Sequence, residues 1–394
     1  MEVTESSAAA AGQGHQDNER TSSELARIRA AIDAVDERLL DLLGERARLA
    51  LAVGSVKAVD SAPVYRPERE AQVVARLISR NSGPLAAAGV EAIWREIMSA
   101  CRGLERRPTV AYLGPAGTFS EQAMHQRFGA DVAGVGCPSI DEVFRATEAG
   151  NVDFGIVPVE NSTEGAVNRT LDLLQQSPLL VSGEITVLVR HILMTASGNM
   201  TGIARICAHP QALAQCAGWL NRNHPTIERA SVSSNAEGAR LAAADPTVAG
   251  IAGQAALERY ALKAVAEGIQ DDPSNRTRFL VIGQYRCSPT GRDQTSLILS
   301  VPDRAGALHA LIEPLARHGV SMKRFESRPA RQYGWTYYFH IDLIGHEADP
   351  PVAAALAELK ARAALYKSLG SYPTASAAEG GDNERTPGPW PANR

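Results

Sequence analysis

Residues 25–57 read LARIRAAIDAVDERLLDLLGERARLALAVGSVK. Apolar side chains recur at three- and four-residue spacing: Leu25, Ile28, Ile32, Val35, Leu39, Leu42, Leu49, Val53 and Val56. That period marks one long helix with a continuous apolar stripe. The slot between Leu42 and Leu49 holds Arg46. An unpaired guanidinium in such a seam is costly, so an anion must face it, and no acid lies in the stripe. Arg46 has a second reading, fixing the register of a helix pair. The helix is predicted to start at a cap, Ser22 or Ser23, and to run to about Val59. A stripe that long calls for a partner helix from a second chain.

Working outward, Pro67 opens a second helix at its first position, with Val73, Val74, Leu77 and Ile78 on one face. Asn81-Ser82-Gly83-Pro84 breaks it. A third helix carries Val90, Ile93, Trp94, Ile97, Met98, Cys101 and Leu104. Beyond Pro108, short apolar runs alternate with helical stretches. Val110–Leu113, Phe154–Val157, Ile203–Ala208, Val248–Ala252 and Phe279–Ile282 are the expected strands. This alternation predicts an α/β architecture with mainly parallel sheet, ligands binding at the carboxyl ends of strands. After a Ser288-Pro289-Thr290-Gly291 linker, a smaller unit reads strand, helix, strand, strand, helix, strand, the order of a ferredoxin-like sandwich. The expected division is a disordered tail over 1–22, a helical domain over 23–107, an α/β domain over 108–287, a small α+β domain over 295–373 and a disordered tail over 374–394.

The 394 residues suit such a division, and a net charge of -4 argues against nucleic acid or an acidic membrane as partner. The five cysteines are scattered without a CxxC pair, which indicates reduced thiols and no zinc site. No apolar run approaches a membrane span, and the first twenty residues lack a secretory pattern, so a cytoplasmic protein is expected.

Residues 24–105 resemble the all-helical chorismate mutase domain, through the stretch quoted above, YRPEREAQVVARL and IWREIMSACRGLE. The resemblance implies an intertwined homodimer acting on a dicarboxylate, chorismate, by an intramolecular rearrangement without a covalent nucleophile. It also implies site residues. Arg29, reaching from the other chain, and Arg46 would hold the carboxylates. Lys57 would serve a carboxylate and the ether oxygen, and Arg69 would complete the cationic wall. Glu70 would accept from the ring hydroxyl, Cys101 would line the site, and Glu105 would face the ether oxygen. Arg66 stands where some members have an acid, and Glu105 where many have glutamine; a carboxylate at Glu105 would repel the developing charge, whereas a neutral acid could donate.

GPAGTFS (114–120), PVENSTEG (158–165), AHPQAL (208–213) and NRTRF (275–279), in this order, resemble prephenate dehydratase. Thr118 and Glu121 have capping-box spacing, and the Gly/Pro turn before them offers backbone donors to a carboxylate. The resemblance implies two lobes like those of periplasmic binding proteins, 109–188 with 275–287 and 189–270. Thr277 would be the catalytic residue, a hydrogen-bond donor or relay. Thr118, Ser120, Glu160, Asn161, Ser162, Gln211 and Arg278 would bind prephenate, with Gln215 a further candidate. Arg278 would pair with a carboxylate or brace the loop.

Gly306-Ala307-Leu308-His309 and Glu326-Ser327-Arg328 resemble the ligand strings of a phenylalanine-sensing ACT domain, which implies feedback inhibition by phenylalanine. The combined order resembles the bifunctional chorismate mutase–prephenate dehydratase family, with no metal or redox cofactor. Two alternatives remain at this level: an arogenate or prephenate dehydratase with a decayed mutase domain, and a non-enzymatic amino-acid-sensing binding protein.

Overall fold

The computed structural model describes residues 5–60, 65–301, 304–329 and 337–374, with side chains in the first helix described from Thr21 to Val56. Two compact units result, residues 1–62 and 63–394.

The first unit is one helix, α1 (Glu5–Asp60). It begins well before Ser22 and Ser23, so neither serine is its cap and the tail expected over 1–22 is helical from Glu5. The run Ala8 to Ala11 explains the extension, since alanine costs least in a helix and propagation is easy once a helix exists. The stripe from Leu25 to Val56 is exposed, with Leu42 at 59% and Val56 at 67%.

The second unit starts with α2 (Pro67–Arg80) and α3 (Ala87–Glu105), an antiparallel pair broken at Asn81. The compact division thus falls at residue 62, inside the helical domain expected over 23–107. Tyr65, 2% exposed, explains it: its ring packs 4.6 Å from Phe128 and 5.3 Å from Phe154 in the α/β core. Ser99 and Glu96 accept from the backbone N–H groups of Asp131 and Ala130.

The first α/β lobe is built from β1 (Thr109–Leu113), α4 (Phe119–Phe128), β2 (Ala133–Cys137), α5 (Ile140–Glu148), β3 (Phe154–Asn161), β4 (Gly165–Ala166), α6 (Asn168–Gln176) and β5 (Leu180–Leu188). The chain then crosses to a second lobe: β6 (Ile192–Thr195), β7 (Arg205–Ala208), α7 (Pro210–Gln215), α8 (Ala217–Asn223), β8 (Glu228–Ser231), α9 (Asn235–Ala244), β9 (Val248–Ala252), α10 (Gln254–Arg259) and β10 (Lys263–Glu267). It returns through β11 (Arg276–Gly283) into the first sheet, between β3 and β5. The sheet orders are β2-β1-β3-β11-β5 and β10-β6-β9-β7-β8. Neither sheet is mainly parallel as expected: β11 is antiparallel to both neighbours, and β6 to both of its own. The two crossings between lobes reverse the chain direction, which local patterning does not encode.

The third part follows the expected order closely: β12 (Asp293–Ser300), α11 (Ala307–Arg317), β13 (Met322–Pro329), β14 (Tyr337–Ile344), α12 (Pro350–Arg362) and β15 (Leu365–Pro373). Its antiparallel sheet runs β13-β14-β12-β15, the ferredoxin-like arrangement. One face carries Leu297, Leu299, Phe339 and Ile341 against the two helices. The other sends Ile298, Leu369 and Tyr372 into a core shared with Val181, Leu280 and Ile282 of the first lobe. The tail expected over 374–394 lies outside the described residues apart from Thr374.

Candidate active sites

β3 and β11 run antiparallel with Asn161 opposite Thr277 and Glu160 opposite Arg278. Side chains alternate faces along a strand, so the first pair looks one way and the second pair the other. Asn161, 8% exposed, donates through Nδ2 to Thr277 Oγ1 at 2.9 Å and to Asn275 Oδ1 at 3.2 Å. Its Oδ1 accepts from the backbone N–H groups of Thr163 (3.0 Å) and Glu164 (3.2 Å) and from the Thr163 hydroxyl (2.6 Å). Ser162 Oγ accepts from the backbone N–H of Arg276 at 3.0 Å.

The second lobe reaches this cluster through Gln215 at the end of α7. Its Oε1 accepts from Asn275 Nδ2 at 3.0 Å, and its Nε2 donates to Thr163 Oγ1 at 3.2 Å. Oε1 also lies 3.0 Å from His191 Nε2 in the first crossing between lobes, which makes Nε2 the protonated ring nitrogen. His191 is 1% exposed, and burial holds its pKa below the usual imidazole value, so it is neutral near pH 7. Phe119 meets its ring edge-on.

The GPAGTFS turn closes against the second lobe. Gly117 has φ +89°, and a Cβ there would sit 3.2 Å from Ala256 Cα, so glycine is required twice over. The expected capping box does not form: Glu121 accepts from the N–H of Gly117, one residue before the Thr118 cap, at 2.5 Å, and the Thr118 hydroxyl donates to Leu113 O at 3.1 Å. Ser120 is buried at 6% in the first turn of α4. Gln211 lies one turn before Gln215; the bonds across the cleft are made by Gln215.

Two predicted prephenate contacts are not brought to the cleft. Arg278 turns to the opposite sheet face, where Nε donates to Glu184 at 2.7 Å and Nη1 makes an ion-pair contact with Asp342 at 2.8 Å. Burial alone would discourage that charge, but Tyr372, Asp342 and Glu184 outweigh it and keep the guanidinium protonated. Glu160 pairs on the same face with Arg324 of β13 at 2.9 Å. The reason is the two-residue period: fixing Asn161 and Thr277 toward the cleft forces their strand neighbours away from it.

Of the expected sensor residues, Gly306 has φ +76° and caps α11, Ala307 is buried, and Leu308 and His309 are exposed. Glu326 is half-buried opposite His340, whose pKa burial and the nearby Arg324 push down to about 4. Ser327 is exposed. Arg328 reaches Asp172 at 2.7 Å and Asn168 of α6, so it bridges to the first lobe.

The expected mutase residues are divided between the two units. Arg29, exposed, and Arg46, half-buried, lie on α1; the side chain of Lys57 falls outside the described residues. On the second unit, Arg69 is exposed, Cys101 is buried and Glu105 is half-buried. Glu70 accepts from Arg102, a residue sequence reasoning missed, which is 5% exposed and lies 5.0 Å over the Tyr65 ring. Arg66 donates to Glu68 at 2.9 Å and to Tyr285 at 3.2 Å. Asn275 opens the NRTRF string, and nothing local in the sequence distinguishes His191. Among the described residues, no group of three His, Cys, Asp or Glu is placed to hold a metal, and no helix is long and apolar enough to cross a membrane.

Paired helices, a two-lobed α/β part with an Asn–Thr pair between its lobes and a ferredoxin-like sheet define a multidomain α/β protein. Family profiles agree: Chorismate mutase type II matches residues 28–106, Prephenate dehydratase 110–286 and ACT domain 295–361. The chain belongs to the bifunctional chorismate mutase/prephenate dehydratase family. It is 48% identical over 350 residues to that enzyme of Neisseria gonorrhoeae, covering 88% of this chain and 96% of the relative. It is 45% identical over 358 residues to that of Pseudomonas aeruginosa, covering 89% and 98%. A crystal structure of prephenate dehydratase from Arthrobacter aurescens in complex with L-Phe is 35% identical with a TM-score of 0.63, covering 67% of this chain and 89% of that one. The chain is thus both a chorismate mutase and a prephenate dehydratase, forming prephenate from chorismate and phenylpyruvate from prephenate.

Proposed function

We propose that the two chemistries use the residues assembled above and that phenylalanine, the end product, regulates the second. The observation that carries the dehydratase assignment is Thr277, held by Asn161 at the base of the cleft. In dehydration the ring C–O bond breaks with its electron pair leaving as hydroxide. The bond from the ring to its carboxylate supplies the pair that completes the aromatic ring, and CO2 departs. The hydroxide takes a proton, so a donor aimed at the departing oxygen is what the protein must supply. The Thr277 hydroxyl fills that place, and the proton is replaced from solvent. Gly114 and Gly117 spend their N–H groups on Cys137 O and Glu121, so within this turn it is the backbone N–H groups of Ala116 and Thr118, with those at the start of α4, that would suit a substrate carboxylate. We read the two lobes as a clamp like that of periplasmic binding proteins, and prephenate rather than arogenate as its substrate. The free, buried cysteines support a reducing, cytoplasmic setting.

For the mutase, the exposed stripe of α1 supports an intertwined homodimer in which Arg29 of one protomer and Arg46 of the other grip the two carboxylates. Arg69, Glu70, Cys101 and Glu105 would complete the site, with Lys57 at the ether oxygen. Arg46→Leu completes the apolar stripe, so the dimer should persist in sedimentation while mutase kcat/KM falls roughly 30-fold or more, the cost of losing a desolvated carboxylate partner. A dimer that dissociates with unchanged mutase rate would make Arg46 a register residue only.

Phenylalanine would bind the sensor at Gly306 to His309 and Glu326 to Arg328, Glu326 accepting its ammonium. Removing residues 295–394 is a poor test, because Leu369 and Tyr372 complete the first lobe's core. The experiment is the whole chain fed chorismate, with phenylpyruvate followed at increasing phenylalanine. Inhibition is expected, and Glu326→Gln should raise the half-inhibiting concentration about 10-fold or more, the worth of one charge-assisted bond. Turnover indifferent to phenylalanine would remove the sensor reading.

A further inference from the structure

A threonine hydroxyl can donate or accept, and a donor to a leaving hydroxide must not spend its proton elsewhere. The environment of Asn161 settles which way its own amide faces. Two backbone N–H groups, those of Thr163 and Glu164, point at one terminal atom, and backbone N–H cannot accept. That atom is therefore the oxygen, and the other, facing Thr277, is the NH2. Its second proton goes to Asn275 Oδ1, and Asn275 in turn donates to Gln215 from the opposite lobe. Every amide in the chain is directed by its neighbours, and the direction ends at the Thr277 oxygen as acceptor.

We propose that Asn161, held by Asn275, is a positioning residue that engages Thr277 Oγ1 as an acceptor and so leaves its O–H free to turn toward the departing ring hydroxyl. This rests on the reading of Thr277 as the donor. Accepting a hydrogen bond also strengthens the hydroxyl as a donor, since successive bonds polarise one another. The Gln215–Asn275 bond extends this network to the second lobe.

Asn161→Asp separates the two halves of the side chain. A carboxylate still accepts from Thr163 and Glu164, preserving the turn, but it cannot donate and would draw the Thr277 proton to itself. Expected at pH 8 is a roughly 100-fold lower kcat for prephenate dehydration in protein that circular dichroism shows to be folded. Lowering the pH toward 5 protonates a fraction of the carboxyl and restores donation, so the deficit relative to the parent should shrink, after subtraction of the enzyme-free acid reaction. Parental kcat at pH 8, or a deficit constant from pH 8 to 5, would overturn the proposal. Should that variant fold poorly, Asn161→Ser keeps a neutral acceptor for the turn with too short a reach; parental kcat in it would overturn the proposal equally. If Thr277→Val instead keeps its turnover, the donor reading itself has failed, an outcome separate from these.

Discussion

Thr277→Val lowers phenylpyruvate formation by about 10²–10⁴-fold, the usual worth of a positioned proton donor. Valine matches threonine in shape, so the first lobe keeps its packing. The Asn161 amide loses one acceptor but retains Asn275 Oδ1 at 3.2 Å and the Arg276 carbonyl at 3.4 Å, which limits the stability cost to about 1 kcal/mol. The mutase is untouched, so chorismate is still consumed and prephenate accumulates. Acid treatment of the reaction mixture then converts that prephenate to phenylpyruvate, which distinguishes a blocked second step from a dead protein. Retained dehydration without acid would show that the donor lies elsewhere in the cleft.

Arg278→Met is expected to destabilise the protein by about 3–5 kcal/mol, the cost of leaving buried carboxylates without their cation. Glu184 is 3% exposed and Asp342 6%; this guanidinium contacts both, while Lys323, 3.6 Å from Glu184, and the neutral donors Gln294 and Ser296 remain after the substitution and place the cost toward the lower end of that range. Tyr372, which hydrogen-bonds Ser296 at 2.7 Å in the same buried cluster, keeps its hydroxyl proton because of burial, so it adds no negative charge there but supplies no positive one either. At roughly 2–4 °C per kcal/mol for a chain of this size class, calorimetry should show a fall of at least several degrees. Because Glu184 belongs to the first lobe and Asp342 to the ACT sheet, loosening of the contact between them should accompany it, seen as faster hydrogen exchange in β5 and β14. A higher KM for prephenate with an unshifted melting temperature would instead return Arg278 to the substrate.

Much of this was legible in the chain. The stripe from Leu25 to Val56 announced a helix because each residue in it reports the same 3.6-residue period. The ferredoxin-like order was readable from short alternating segments whose neighbours in sequence are also neighbours in space. Motif strings named Thr277, Asn161 and Ser162, which the structure brings together. Glu160 and Arg278 stand in the same strings but face the other side of the sheet, because a string does not say which face of a strand a residue occupies. Arg102 gave no signal: among the arginines of α3 only its burial against Tyr65 and Phe128 sets it apart.

The sequence by itself determined the elements, their order and the chemical vocabulary of the sites, since hydrophobic period, turn residues and charged slots are local properties. Only the tertiary structure decided that the sheets are mixed, that α2 and α3 join the dehydratase unit, and that Thr277 meets Asn161 while Arg278 braces the ACT sheet. Those facts depend on strand register and lobe crossings linking residues such as Asn161 and Thr277, 116 positions apart. Their pairing is fixed by the packing of both sheet faces together, and a shift of one residue would exchange cleft and brace.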